Sequence, residues 1–300
     1  MTMRRALLLT LLLPILAAPP AQAQDVVGGE VVAGLNEVAE WHRVPPVTGA
    51  LPAPEAPVRT AEVRRLLVAQ LGLTDVADAV QAEAARAGLQ PPARFGSEVV
   101  AGLLGLRRNQ RDERRELQPW DPATTDEAEF AFAAARRANP VAVRIVLSTF
   151  RLPAYTPEQR FVLRATAQRI GMPYVWGGEL DRPGVLGERQ PVGGYDCSGL
   201  VWRVFKLSGV PAGRRIRGRT AAQQAGEVPR STRIARSGVR PGDLLFFGAG
   251  RIWQRATERR ITHQGIALSD RWMLHSSSAQ GGVSALPIDA RRFSWARRVL

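Results

Sequence analysis

Along the first half of the chain, apolar residues recur on a helical period: Val63, Leu66, Leu67 and Leu71, then Val76, Ala79, Val80 and Ala84. Two or three amphipathic helices are therefore expected between Thr60 and about Leu117. The run Arg107 to Glu116 mixes both signs of charge on the same period and reads as a solvated helix face. Thr124 with Glu127 forms a capping-box pattern ahead of an Ala-rich helix, which Pro140 should end, and Pro153 closes the next segment. Thr156-Pro157-Glu158-Gln159 is a stronger start signal, with Thr as N-cap, Pro at the first helical position and Gln at the third; Gly171 marks the far end.

The texture changes in the second half. Asp196-Cys197-Ser198-Gly199 is followed by Leu200, Val201, Val204 and Phe205, an i, i+1, i+4, i+5 stripe that stops at Ser208-Gly209. That is the pattern of an amphipathic helix with Asp196 as its N-cap and Cys197 in its first turn. Beyond Gly209 come short apolar or β-rich runs: Asp243 to Phe247, Gly265 to Leu268, Trp272 to His275, Val283 to Ile288 and Trp295 to Leu300. A helix followed by successive strands argues an α+β domain with an antiparallel sheet over residues 151–300, preceded by a mostly α-helical region at 59–150.

The beginning of the chain reads differently again. Arg4 and Arg5 precede the apolar run Ala6 to Ala18 and the small-x-small pattern Ala21-Gln22-Ala23, so residues 1–23 are expected to be an export signal. About a dozen apolar residues fall short of the ~20 that a membrane span needs, and no cysteine near residues 17 to 25 offers a lipid anchor. A soluble exported protein without a membrane span, placed in the periplasm or the extracellular cell wall, is the expectation. Pro45, Pro46, Pro52, Pro54 and Pro57 suggest that residues 24–58 form a Pro-rich linker.

The net charge of +14 is unevenly placed: residues 24–150 hold 14 basic and 17 acidic groups, residues 151–300 hold 25 and 10. The second half carries the basic field, and an anionic polymer of the cell envelope is its expected partner. Export argues against nucleic acid, and no zinc-finger spacing or stacking motif accompanies the arginines.

Cys197 is the only cysteine, so no internal disulfide can form, and a lone thiol in an exported chain calls for a reason. At a helix N-terminus it meets unsatisfied backbone N–H groups that favour the thiolate. Two downstream histidines, His263 and His275, fall in strand-like runs on either side of a turn at Ser269-Asp270. Nucleophilic catalysis needs a base beside the thiol and a group that orients the base, which Cys197, His263 and His275 supply in that order. Register decides whether they can. A two-residue turn would leave the histidines on opposite faces of the sheet, whereas a three-residue loop, Leu268 to Asp270, pairs Ala267 with Arg271 and sets His263 directly across from His275. An odd-length loop or a bulge is expected.

With Pro173-Tyr174-Val175-Trp176-Gly177-Gly178, Asp196-Cys197-Ser198-Gly199-Leu200-Val201, Arg240-Pro241-Gly242-Asp243-Leu244-Leu245-Phe246-Phe247, His263-Gln264-Gly265-Ile266 and His275-Ser276-Ser277 in order, the chain from about Thr156 to Leu300 resembles the NlpC-type family of bacterial cell-wall cysteine endopeptidases. The resemblance implies a papain-like domain with Cys197 as nucleophile, His263 as base and His275 as the third polar residue, needing no metal or cofactor. It implies cleavage of peptidoglycan stem peptides, usually between D-γ-glutamate and a diamino acid. It also implies a pocket for a free N-terminal L-alanine built from Tyr174, Asp196 and Ser198, with Asp196 pairing the substrate ammonium. Glu179 to Gly194 and Gly250 to Arg260 are longer than the family's pattern, and the N-terminal helices do not match its common SH3-type barrels.

Two other readings compete. A wall-binding module with a non-hydrolytic site would use the basic half for adhesion. A zinc site of Cys197, His263 and His275 lacks the close ligand-pair spacing typical of such sites.

Overall fold

Helices build the first half of the chain and a sheet the second. The computed structural model describes residues 24–186 and 188–300; the expected export signal lies outside them. Helices α1 (Gly28–His42), α2 (Thr60–Gln70), α3 (Thr74–Arg86), α4 (Phe95–Leu104), α5 (Thr125–Arg137) and α6 (Pro140–Leu147) precede α7 (Pro157–Ala167). The apolar stripes read from the sequence face inward except at Ala79, which is exposed: Val63, Leu66, Leu67, Leu71, Val76, Val80 and Ala84 are buried.

Two expectations for this half need correction. Residues 24–58 are not simply a linker, because α1 lies within them and buries Val31, Leu35 and Val38, a stripe at i, i+4 and i+7. The Pro-rich stretch after α1 is docked as well, since the Gln70 side chain accepts from Val47 N and donates to Pro45 O. The run Arg107 to Glu116 is not a helix, and it is solvated only in part, at Arg108, Arg111, Arg114 and Arg115. Apart from a short 3-10 turn at Glu113–Arg115 it is irregular, and Arg107, Gln110 and Glu116 are buried. Arg107 donates to Gly171 O and Leu117 O and pairs with Glu116. Burial pushes the Glu116 carboxyl up to about 7 against the pull of Arg107. Tertiary partners, invisible to a local charge pattern, absorb these charges.

Helix α7 starts as its sequence dictates, with a reciprocal capping box between Thr156 and Gln159 and Pro157 in the first turn. Next come the short pairs β1 (Glu179–Leu180) with β4 (Gly194–Tyr195) and β2 (Gly184–Leu186) with β3 (Glu188–Gln190), which fill the long Glu179 to Gly194 link. Then come α8 (Cys197–Val201), continued by a π turn over Trp202–Lys206, and α9 (Ala221–Gly226). The strands β5 (Leu244–Phe247), β6 (His263–Ala267), β7 (Trp272–Ser277), β8 (Gly282–Pro287) and β9 (Phe293–Arg297) form one antiparallel sheet in the order β8-β7-β6-β5-β9.

Period-2 alternation sorts this sheet between two cores. Leu244, Phe246, Ile266, Leu274 and Trp295 join the main core with Leu200, Val201, Val204 and Phe205 of the cysteine helix. Leu245, Phe247, Ala267, Met273 and Ala296 form a smaller core on the opposite face. The main core is continuous with that of α1 to α6, so the two halves of the chain share one apolar interior.

Candidate active site

The cysteine helix is held at its N-terminus by its own sequence. Asp196 is the N-cap, extended at φ −80° and ψ 177°, and its carboxylate accepts from Gly199 N. Gly199 is required by space rather than by φ: a Cβ there would lie 1.8 Å from Gly178 O. That close approach locks the Trp-Gly-Gly loop onto the Asp-Cys-Ser-Gly turn, and Asp196 N donating to Gly178 O at 3.1 Å ties the same junction. Tyr174 is fixed by Tyr174 N donating to Gly281 O, and Val175 N donates to Tyr195 O. The two motifs, apart in sequence, thus become one wall.

His263 and His275 come together. His263 Nε2 and His275 Nδ1 are 2.7 Å apart, with ring centroids 4.9 Å apart at 76°. Their loop has the expected odd length but another position. Ala267 pairs with Met273 and Ile266 with Leu274, and Leu268 N donates to Trp272 O, leaving Ser269 to Arg271 as the three loop residues. The expected pairing of Ala267 with Arg271 is therefore off by two residues. A shift of two preserves the face, so the histidines sit diagonally on one side of the sheet rather than directly opposite. The residue facing His275 is Gly265, where a Cβ would lie 3.2 Å from the His275 Cβ. Its missing side chain leaves the diagonal open to the His263 ring.

Cys197 reaches the sheet at the start of β6. Helix α8 packs on the face of Ile266 and Leu274, whereas the histidines share the face of Ala267 and Met273. His263 is the first residue of β6, and the backbone N–H of its neighbour Gln264 lies against the Cys197 sulfur, as does that of Ser198. No hydrogen bond joins the thiol to His263 among the described residues. Nδ1 is the His263 nitrogen not engaged with His275.

The electrostatics of the thiol differ from the sequence expectation. Burial, then the adjacent Asp196 carboxylate, pushes the Cys197 thiol up to about 12, against the smaller pull of the two backbone N–H groups and Arg219. Burial, with Arg292 behind it, lowers His263 to about 4, and burial holds His275 well below the ordinary histidine range. Burial therefore favours the neutral thiol and the neutral imidazole over their charged forms.

Around the thiol stands a charge cluster that sequence reading missed. Arg219 donates to Asp196 Oδ1 at 3.1 Å, Ser198 Oγ at 2.9 Å, Glu179 Oε2 at 2.6 Å and Gly177 O at 2.7 Å. Ser198 Oγ donates to Asp196 Oδ1 at 3.0 Å. The Asp196 carboxylate therefore already has an internal cation. From the N-terminal region, Glu113 Oε1 accepts from Trp176 N at 2.6 Å. Burial, followed by the charges of Cys197, Asp196 and Glu113, raises the Tyr174 phenol above its ordinary range. Tyr174, Asp196 and Ser198 thus gather beside Cys197 with Arg219, Glu179 and Glu113. The last three carried no sequence signal beyond their charge.

Comparison with known proteins gives this geometry a context. Residues 171–298 match the model of the NlpC/P60 family. A probable endopeptidase of Mycobacterium tuberculosis is 30% identical over 133 residues, covering 44% of this chain and 27% of that protein. The chain therefore spans only about a quarter of the length of that relative. The probable endopeptidase YafL of Escherichia coli is 27% identical over 201 residues, 65% of this chain and 68% of that protein. The gamma-D-glutamyl-L-lysine dipeptidyl-peptidase of Bacillus subtilis is 26% identical over 128 residues, 42% of this chain and 35% of that protein.

Proposed function

We propose that the protein is a cysteine endopeptidase that hydrolyses peptide bonds in peptidoglycan stem peptides, a reading supported by the match of residues 171–298 to the NlpC/P60 family. The observation that carries this reading is the 2.7 Å contact of His263 Nε2 with His275 Nδ1, which leaves His263 Nδ1 for a thiol seated against the next residue's N–H. Catalytic hydrogen bonds of this kind are often long without substrate and tighten on binding. As the Cys197 sulfur attacks the scissile carbonyl carbon, its proton passes to His263 Nδ1. The resulting imidazolium is held by donation from Nε2 to His275 Nδ1 and then protonates the leaving amine. Water, deprotonated by the same imidazole, cleaves the thioester and restores the thiol. Nothing in this sequence of steps draws on a cofactor.

The bond cleaved, in this proposal, is D-γ-glutamyl to a diamino acid, as the name of the Bacillus subtilis relative suggests. The free N-terminus of the stem peptide lies in the pocket of Tyr174, Asp196 and Ser198. Arg219 shares the Asp196 carboxylate, yet the pocket still favours an ammonium: Asp196, Glu179 and Glu113 set three negative charges against one guanidinium. The protein is exported by residues 1–23, and its basic half associates with anionic envelope polymers. Digestion of purified peptidoglycan followed by mass spectrometry tests the reading: wild type releases fragments ending in D-glutamate, while Cys197→Ala and iodoacetamide-treated protein release none. Binding to the wall with no fragment released, even from purified stem peptides, would instead establish the adhesion reading.

A further inference from the structure

His275 does more than touch His263, because its other ring nitrogen is buried. The residue is 3% exposed, and Nε2 finds no hydrogen-bond partner among the described residues. Directly across the β7–β8 ladder stands Ser284, 2% exposed, whose Oγ is equally unpartnered. Paired residues of an antiparallel ladder project to the same face with Cβ atoms about 4.5 to 5.5 Å apart, so two orphaned polar atoms face one interior. Leaving both unmade costs each its desolvation.

The proton inventory says which of the two must donate. Resting on the reading of His263 as the base, Nδ1 of that ring has to be unprotonated to receive the thiol proton, so its single proton sits on Nε2 and is donated to His275. His275 Nδ1 must then accept, which forces the His275 proton onto Nε2, the orphaned atom. The opposite tautomer, with His275 Nδ1 donating, would leave His263 protonated on the nitrogen that faces the thiol and remove its basicity there.

We infer that Ser284 is a positioning residue whose hydroxyl oxygen accepts the Nε2–H of His275, fixing the tautomer that makes His263 a base for Cys197. Helix α4 of the N-terminal half closes the site from outside: a Cβ on its Gly102 would lie 3.1 Å from the Ser284 Cβ. The helical region thereby keeps water from competing for the His275 proton.

The chain has only three histidines, His42 among them, so 15N-histidine spectra resolve each ring. In wild type, His275 is expected as a single Nε2–H tautomer with a slowly exchanging ring proton. Ser284→Ala should mix the tautomers and lower kcat on purified peptidoglycan about tenfold at constant KM, and Ser284→Thr, which keeps the oxygen, should restore both. Unchanged His275 shifts in Ser284→Ala, or an altered tautomer with undiminished kcat, would overturn the inference. A wild type inactive on peptidoglycan would sink the proposed function alone, while the tautomer spectra still decide the hydrogen bond.

Discussion

Burial favours the neutral forms of Cys197 and His263, and that direction sets the expected pH behaviour. A preformed thiolate–imidazolium pair gives a bell whose alkaline limb reports loss of the imidazolium proton; a neutral pair has no such limb. With His263 at about 4 and the thiol at about 12, kcat/KM is expected to rise with a midpoint below the ordinary histidine value of about 6.5 and stay level past pH 9. Alkylation by iodoacetamide should be slow at pH 7 and keep accelerating past pH 9; a plateau below pH 8 would refute the neutral pair. A depressed histidine stabilises the fold above about pH 6.5 and loses that contribution as pH falls toward 4. Glu116, raised to about 7, acts with the opposite sign in the same window, so the histidine part should be read as the difference in melting temperature between wild type and His275→Asn. Gly265→Ala is a second test at this scale: its Cβ would press on the His275 Cβ, Leu274 O and Met273 Sδ, all within 3.2 Å. Activity on peptidoglycan should fall at least tenfold with the circular dichroism spectrum retained. The chemistry-bearing residue types were legible in the sequence because Cys197 is single and the histidines few. Arg219, Glu113 and Ser284 were not, since an arginine, a glutamate and a serine acquire meaning only from what the folded chain sets beside them.

At the scale of elements, local rules carried far and then stopped. The capping box of α7, the stripe of the cysteine helix and all five strands of the sheet were written in spacing, because each depends on neighbours a few residues away. The parity of the β6–β7 loop was legible for the same reason. Its position was not: Ser269 Oγ accepts from Arg271 N and Trp272 N, which draws the turn one residue toward the C-terminus and shifts the pairing by two. The loop carrying Arg219 was opaque, since its guanidinium gathers Gly177 and Glu179 from one segment and Asp196 and Ser198 from another. Planar, forked donation of this kind is beyond lysine. Arg219→Ala leaves two largely buried carboxylates unpaired and is expected to cost about 3 kcal/mol in urea unfolding. Arg219→Lys should recover less than half of that loss. Full recovery by lysine would mean that charge alone, not the fork, holds the Trp-Gly-Gly loop to the cysteine turn.

Across the whole molecule the two halves differ in charge but not in core. The basic half carries the surplus that makes the net charge +14, so association with purified wall should weaken as salt rises past about 0.15 M, where the screening length is about 8 Å. Salt-independent binding would remove that role from the arginines. The core argues that the halves are one folding unit. Arg107 reaches Gly171 O, Gln118 donates to Gly193 O, Arg94 donates to Ile170 O and Gln168 O, and Trp272 Nε1 donates to Thr149 O. Each is a backbone carbonyl satisfied across the boundary, and α4 covers the Ser284 side of the sheet. Residues 151–300 alone would expose Trp272, Val283 and Ile170, all buried in the intact chain, would strip the carbonyls of Gln168, Ile170, Gly171 and Gly193 of their donors and would leave Trp272 Nε1 without its acceptor. Free of residues 24–150, the second half is therefore expected to keep far-ultraviolet dichroism, lose near-ultraviolet dichroism and bind anilinonaphthalene sulfonate, the marks of a compact state without fixed packing. Adding residues 24–150 as a separate chain should restore the near-ultraviolet signal. A second half that melts cooperatively by itself would show instead that the helices are an attachment to a finished domain.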